Sequence, residues 1–379
     1  MTFGRTRAGF GVMVTPLVCL LCVVSVAGQA GPEPAPQMSE NVFKNIQVLK
    51  GIPADEFMDT MGMFASSLLY DCTGCHVEEI LTNREAFAIS TPRIQRARGM
   101  VAMVNVINKN FFAGQPRVSC FTCHRGTGSP DVVPNLALQY GAGADEDPNA
   151  MRIFPDARIA PEKVLARYIE ALGGAQRLAA RTSFVATGTT AGFNTGNAKV
   201  PIEIFARAPN QQTEVIRTFE GNAVKTFDGR SAWAAEGWRQ LPLMTFTGGN
   251  LAGARLDALV SFPAGIQKAF SQWQGTTTLI GDDEVTLLQA SNPNELPVNF
   301  YFDESGLLVR TVRWRRTSVG TVPTQTDYSD YREVAGVRMP FRLFVTWTNG
   351  QNTIELTDVR PNVTIEAARF ARPAPFKPR

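Results

Sequence analysis

Two five-residue stretches of this chain carry the same reactive groups in the same order: Cys72-Thr73-Gly74-Cys75-His76 and Cys120-Phe121-Thr122-Cys123-His124. The chain has two histidines in all, and both are here. Two thiols three positions apart can bond the two vinyl-derived carbons of one porphyrin, and the imidazole directly after them can swing beneath the ring to bind iron. Cys-x-x-Cys-His is the attachment pattern of c-type haem, so the two copies predict two covalently held haems. Two other chemistries use the same groups. Four thiolates can build a tetrahedral zinc site, and a single Cys-x-x-Cys can act as a thioredoxin-like redox pair beside a βαβ pattern, which is not seen here. Neither accounts for a histidine after the second cysteine on both occasions.

An iron held by one histidine has a sixth position to fill. With both histidines used, methionine thioether is the expected ligand, and it raises the reduction potential. Each motif is preceded by a stretch of helical period that carries methionines. Pro53 opens the first, which runs to about Tyr70 with Phe57, Met61, Phe64, Ala65 and Leu68 on one face. Met61 sits in the middle of that face, with Met58 and Met63 as alternatives. Pro92 precedes the second, in which Met100, Met103, Val104 and Ile107 share a face. Methionines on an apolar helical face are usually core filler, so spacing alone leaves Met61 and Met100 as candidates among several.

Residues 1–30 read as a secretory signal: Arg5 and Arg7, then an apolar run from Val12 to Ala27, then small residues suited to cleavage. The run contains Thr15 and Pro16 and falls short of the ~20 residues that a spanning helix needs. An uncleaved anchor is the alternative. Cys19 and Cys22 lie in the apolar run and leave with it, so the four motif cysteines remain and no disulfide framework is expected. Export agrees with haem attachment, which in bacteria takes place outside the cytoplasmic membrane. Loss of Arg5 and Arg7 takes the formal charge from +3 to +1 (3 − 2). That balance gives no sign of nucleic-acid binding.

The elements that must position these groups fall into an α+β, multidomain arrangement. Residues 31–39 are a proline-rich spacer. Residues 40–134 carry the haem motifs and are expected to form a helical multihaem cytochrome c domain. Residues 135–160 form a linker, Gly-, Ala-, Asp- and Pro-rich between Gln139 and Asp156. A β-rich domain follows over 161–379. It begins with a helix from Pro161 to Ala180, striped by Val164, Leu165, Tyr168, Ile169 and Leu172 and broken at Gly173-Gly174. From Phe184 the period changes to two, as in residues 201–206, 307–314, 341–347 and 353–357. Turn signals such as Asp228-Gly229, Ser305-Gly306, Gly336 and Asn349-Gly350 separate the strands. Many strands with few helices predict a large antiparallel sheet, curved like a half-barrel or closed as a barrel. Trp233, Trp238, Trp314 and Trp347 are expected in its core or on a sheet face.

A resemblance narrows the choice of methionines. The stretch from Asn45-Ile46-Gln47-Val48-Leu49 through Glu56-Phe57-Met58-Asp59-Thr60-Met61 to the first motif resembles the cytochrome c subunit of photosynthetic reaction centres. So does Ala97-Arg98-Gly99-Met100-Val101-Ala102-Met103, followed by Ile107-Asn108 and Val118-Ser119 before the second motif. The likeness spans residues 41–130. It implies that the methionine after Glu-Phe-x-x-x, here Met61, and the first of a Met-x-x-Met pair, here Met100, are axial ligands. His76 and His124 are then the proximal ligands, and Cys72, Cys75, Cys120 and Cys123 the covalent attachments. The best-known subunits carry four haems, and one of these takes a distant histidine; this chain has motifs for two and no spare histidine. It therefore resembles a diheme relative, and donation to a photooxidised chlorophyll pair does not follow from the likeness. More loosely, the leading helix and the strand-turn-strand over 299–307 resemble the curved sheets of periplasmic lipoprotein carriers, which implies an acyl or other apolar ligand.

These features predict an exported one-electron carrier rather than an enzyme. It would be periplasmic, soluble or membrane-associated, and would work with periplasmic or membrane-bound redox proteins or a membrane redox complex. A diheme peroxidase needs an iron with a releasable distal site and polar groups to cleave the O–O bond, and the chain has no distal histidine to offer. A ligand-binding or sensing role for the β-rich half is a third possibility.

Overall fold

Alternation along the C-terminal half places every second side chain on one face. In the strand Val200–Arg207, Ile202, Ile204 and Ala206 are buried while Pro201, Glu203 and Phe205 turn outward. A computed structural model describes residues 35–130, 132–133, 149–237 and 241–377, besides 1, 2 and 4. Most of the stretch read as a secretory signal, parts of both spacers and Trp238 lie outside the described residues. The chain divides into units 1–33 and 34–379, and every described helix and strand belongs to the second.

Thirteen strands are described: β1 Ser183–Gly192, β2 Val200–Arg207, β3 Gln211–Thr218, β4 Gly221–Phe227, β5 Ala232–Ala235, β6 Met244–Thr245, β7 Gln272–Ile280, β8 Asp283–Ser291, β9 Val298–Phe302, β10 Leu308–Thr317, β11 Gly320–Val334, β12 Val337–Trp347 and β13 Gly350–Pro361. They form one antiparallel sheet in the order β6-β5-β4-β3-β2-β1-β13-β12-β11-β10-β9-β8-β7. Two meanders, β1–β6 and β7–β13, are joined where β1 pairs with β13, Phe184 opposite Pro361. The closed-barrel alternative is not adopted. The sheet is open, with β6 and β7 as its edges.

Seven helices accompany it among the described residues: α1 Ser39–Val42, α2 Ala54–Leu68, α3 Pro92–Phe111, α4 Cys120–His124, α5 Pro161–Ala171, α6 Ala175–Ala180 and α7 Gly248–Ser261. The stripe predicted for the leading helix is present. Leu165, Tyr168 and Leu172 join Leu178, Leu256 and inward residues of most strands in one apolar core. The predicted break is also there: Gly173 and Gly174 have φ +120° and +91°. A Cβ on Gly173 would lie 2.2 Å from the Gly336 carbonyl oxygen, so only glycine lets α5 approach the β11–β12 turn this closely. Trp233 and Trp314 are buried, and Trp347 meets Phe193 edge-on at 5.9 Å. Among the described residues, no helix is long and apolar enough to cross a membrane.

Candidate functional site

Pro53 stands at the N-cap of α2, as its missing N–H allows, and Leu69 ends the helix in the left-handed region at φ +51°. The predicted apolar face is real. Phe57, Met58, Met61, Phe64, Ala65 and Leu68 all line one cleft of about 410 Å³, a volume in the range of cofactor sites. Cys72, Cys75, His76, Met100, Cys120 and His124 line the same cleft. Cys123 does not, and is exposed.

The second helix differs in part from its predicted face. Val101 and Val104 are buried; Met100 and Met103 are similarly exposed, at 39% and 43%, but only Met100 lines the cleft. Met63, the third methionine of α2, points away from the cleft. It is 4% exposed and packs with Val101, Cys120, Val319 and Val322. Met58, Met61 and Met100 all line the cleft.

The two motifs are built differently. Cys72–Gly74 form a single 3-10 turn capped by Asp71, whose carboxylate accepts from the Gly74 N–H at 3.0 Å. This turn is tied to the start of α3, where Thr91 Oγ1 donates to the Cys75 carbonyl at 2.6 Å and Arg93 donates to the Gly74 carbonyl. The second motif is α4 itself, closed by a reciprocal capping box between Ser119 and Thr122. It is tied to α2, because Gly126 N–H donates to the Ser67 carbonyl at 2.9 Å. Each motif is therefore braced by the methionine-bearing helix of the other.

His124 Nδ1 lies 3.0 Å from the Thr127 carbonyl. A carbonyl only accepts, so Nδ1 carries the proton and Nε2 presents its lone pair, the tautomer a metal ligand needs. His76 Nδ1 is buried with no hydrogen-bond partner, and its ring meets Phe87 edge-on at 5.0 Å. Burial pushes the His76 imidazole down from its ordinary value, and the Phe87 backbone opposes this without cancelling it. Burial pushes the Cys120 thiol up to about 11, and raises Cys72 and Cys75 as well. Among the described residues, no three His, Cys, Asp or Glu side chains converge to hold a metal ion, so the four-thiolate zinc alternative lacks its geometry.

The donor set fits a haem: two thiols per motif, an imidazole beside each pair, thioethers on an apolar wall. Arg84, Arg93, Arg96 and Arg98, which motif and spacing do not single out, also line the cleft. A signal for them was available, since residues 86–130 contain no carboxylate. Cations at the edge of an apolar slot suit a flat, greasy cofactor with carboxylate tails.

The outer face of α2 is held by the sheet. Asp55 accepts from the Thr247 N–H at 2.6 Å and from Thr247 Oγ1 at 2.8 Å. Asn250 Nδ2 donates to Asp59 at 2.8 Å, and Arg315 Nη2 lies 3.0 Å from Asp59 Oδ1. Burial pushes the Asp59 carboxyl up, while Arg315 and Asn250 pull it down. These anchors were invisible in the sequence because 256 positions separate Asp59 from Arg315.

Comparisons with known proteins match two regions of the chain. A sequence model described as photosynthetic reaction centre cytochrome C subunit matches residues 23–164, the span that holds α1–α4 and both motifs. A second, for a family of unknown function (DUF6544), matches residues 251–358. The photosynthetic reaction center cytochrome c subunit of Roseobacter denitrificans is 28% identical over 109 residues, covering 27% of this chain. The chain spans only 29% of that relative's length. The N-terminal region is thus related to the reaction-centre cytochrome c subunits, as its motifs predict. Among solved structures, a LolA superfamily protein from Nitrosomonas europaea is similar over 56% of this chain and 98% of its own, with a TM-score of 0.38 and 11% identity. A putative outer membrane lipoprotein-sorting protein domain from Vibrio parahaemolyticus covers 54% of this chain and 97% of its own, with a TM-score of 0.36 and 12% identity.

Proposed function

We propose that this protein is an exported diheme c-type cytochrome that passes single electrons between periplasmic or membrane-bound redox proteins. Residues 40–134 would be its cytochrome domain, 135–160 a linker and 161–379 the β-rich domain. The observation that carries the proposal is the single apolar cleft on which Met61, Met100, both motif histidines and three of the four motif cysteines meet. Cys72 and Cys75 would hold one haem, and Cys120 and Cys123 the other. His76 and His124 would bind iron through their free Nε2 atoms, and Met61 and Met100 would close the far sides. Bound haem supplies a one-electron iron couple. The chain would supply imidazoles, thioethers that favour the reduced state, apolar walls, and cleft-lining arginines that could pair with the carboxylate tails.

The mass of the mature protein under denaturing conditions tests this directly. It is expected to show two covalent haems and a removed leader. The absorption spectrum is expected to carry the weak charge-transfer band of methionine bound to iron. A colourless protein, or high-spin features in the resting state, would overturn the proposal.

A second observation favours an apolar ligand on the β-rich domain. The inner face of the sheet borders a second cavity of about 410 Å³, which shares Met58 and Cys72 with the cleft and sets apolar side chains such as Phe184, Ile202 and Leu343 against charged ones such as Glu214, Lys225 and Asp257. Arg181 also lines it, and its Nε and Nη1 are buried without hydrogen-bond partners. Lipid that copurifies with the full-length protein and is lost on filling this cavity (Ala223→Trp) would support such a ligand; a protein free of lipid would remove it.

A further inference from the structure

Helix α2 has two working faces, set half a turn apart. One carries Met61 into the cleft. The other carries Asp55, Glu56, Asp59, Gly62 and Met63, and each of these meets the sheet half. Asp55 and Asp59 bond Thr247 and Asn250 at the start of α7. Ser318 Oγ donates to Glu56 at 2.9 Å. A Cβ on Gly62 would lie 2.8 Å from Thr348 Oγ1 in the β12–β13 turn. Arg315 of β10 joins the set, since its Nη1 donates to Asn250 Oδ1 at 2.8 Å while its Nη2 pairs with Asp59.

Burying an ion pair in this way contributes little net stability, because desolvation offsets the attraction; its better-attested use is to fix register. A helix held only by apolar packing can rotate or slide by small amounts as side chains repack. The Asp59–Arg315 pair admits one rotation of α2 about its axis. Asp59 precedes Met61 by two positions, about 200° around the helix, so fixing one side chain against β10 fixes the other toward the cleft.

We infer that Arg315 is a positioning residue for the Met61 ligand: the sheet domain, through Arg315 and Asp59, sets the rotation of α2 and so the bond from Met61 to one of the two irons. This rests on the diheme reading above. Met100 serves as the internal control. It rides on α3, whose side-chain hydrogen bonds run to Gly74, Ser90, Asn45 and Val118.

The test uses the mature, haem-loaded protein and the double variant Asp59→Asn/Arg315→Gln, which removes both charges together so that neither is left buried alone. Arg315→Met is made beside it. Denaturing mass first reports the haem count, and a wild-type count below two overturns the diheme reading and this inference with it. With two haems bound in both proteins, the double variant is expected to lose about half of the methionine–iron band. One of the two midpoint potentials is expected to fall while the other stays put. An unchanged band with both potentials unchanged would sink the assignment while leaving the diheme reading intact. So would an equal shift of both potentials, which would mean that the pair acts on the fold as a whole.

Discussion

The two Cys-x-x-Cys-His motifs share their chemistry but differ in how rigidly the chain holds them. The first is a three-residue turn with Cys72 exposed, an unpartnered His76 Nδ1 and one carboxylate cap. The second is a capped helix with Cys120 in an apolar core and His124 fixed in one tautomer by Thr127. The difference teaches that the motif sets which bonds can form, while its surroundings set how far the ligand is prepared before they do. On this comparison the second site is preorganised, and the first would be completed by a haem bound there.

Removing the thiols gives the largest effect and the sharpest contrast. Cys72→Ser/Cys75→Ser and Cys120→Ser/Cys123→Ser are each expected to lose one haem in the denaturing mass. The second pair is expected to lower stability more, since a hydroxyl at Cys120 would sit unsatisfied beside Met63, Val101 and Val322. Equal losses of stability in denaturant unfolding would show that the two sites are equally preorganised and end the comparison.

Gly320→Ala comes next. Gly320 opens β11 at φ +151°, and a Cβ there would lie 2.6 Å from Met63 Cε and 2.8 Å from Ser119 Cβ. Strained backbone and a displaced neighbour together are expected to cost about 1–3 kcal/mol. The clash falls both on Ser119, which caps α4, and on Met63 of α2, so the spectra of both haems are expected to change, and a change confined to one would show which neighbour gives way. A third, smaller effect isolates the caps. Ser119→Ala is expected to cost about 1 kcal/mol, and Asp71→Ala, at the end of an exposed turn, measurably less. Equal costs in thermal unfolding would mean that the capping box adds nothing to the second site.

Much of this arrangement was legible in the sequence because its determinants are local. The motifs, the apolar face of α2, the start of α3 at Pro92 and the Gly173-Gly174 break are each written within one helical turn or two. The alternation in β2 and β10 is equally short-range. What was not legible depends on distant partners. The face of α3 was read as Met100, Met103, Val104 and Ile107, yet Val319 and Val322 of the β10–β11 hairpin select Val101 as the buried residue and leave Met103 outside. The crossed bracing, in which each motif docks on the other's helix, also follows from tertiary contacts that no spacing reveals. Openness of the sheet was likewise undetermined, since alternation fixes faces but not whether the edges meet.

The smallest expected effect concerns pH and the hold of the sheet on α2. Burial raises the Glu56 carboxyl above its ordinary value, and the hydrogen bond from Ser318 and the neighbouring carboxylates Asp55 and Asp59 modify that shift. A carboxyl whose folded value lies above the unfolded one binds its proton more tightly in the native state. Stability then falls as pH rises through the window between the two values, and below the unfolded value the penalty vanishes. Glu56→Gln keeps an acceptor for Ser318 but carries no charge to desolvate. The variant is therefore expected to be more stable than the wild type at neutral pH and indistinguishable from it well below the ordinary carboxylate range. Unfolding curves across pH check this. If the two proteins differ by the same amount at every pH, the charge of Glu56 is not what opposes the docking of α2, and the weight shifts to the geometry of the Ser318 contact.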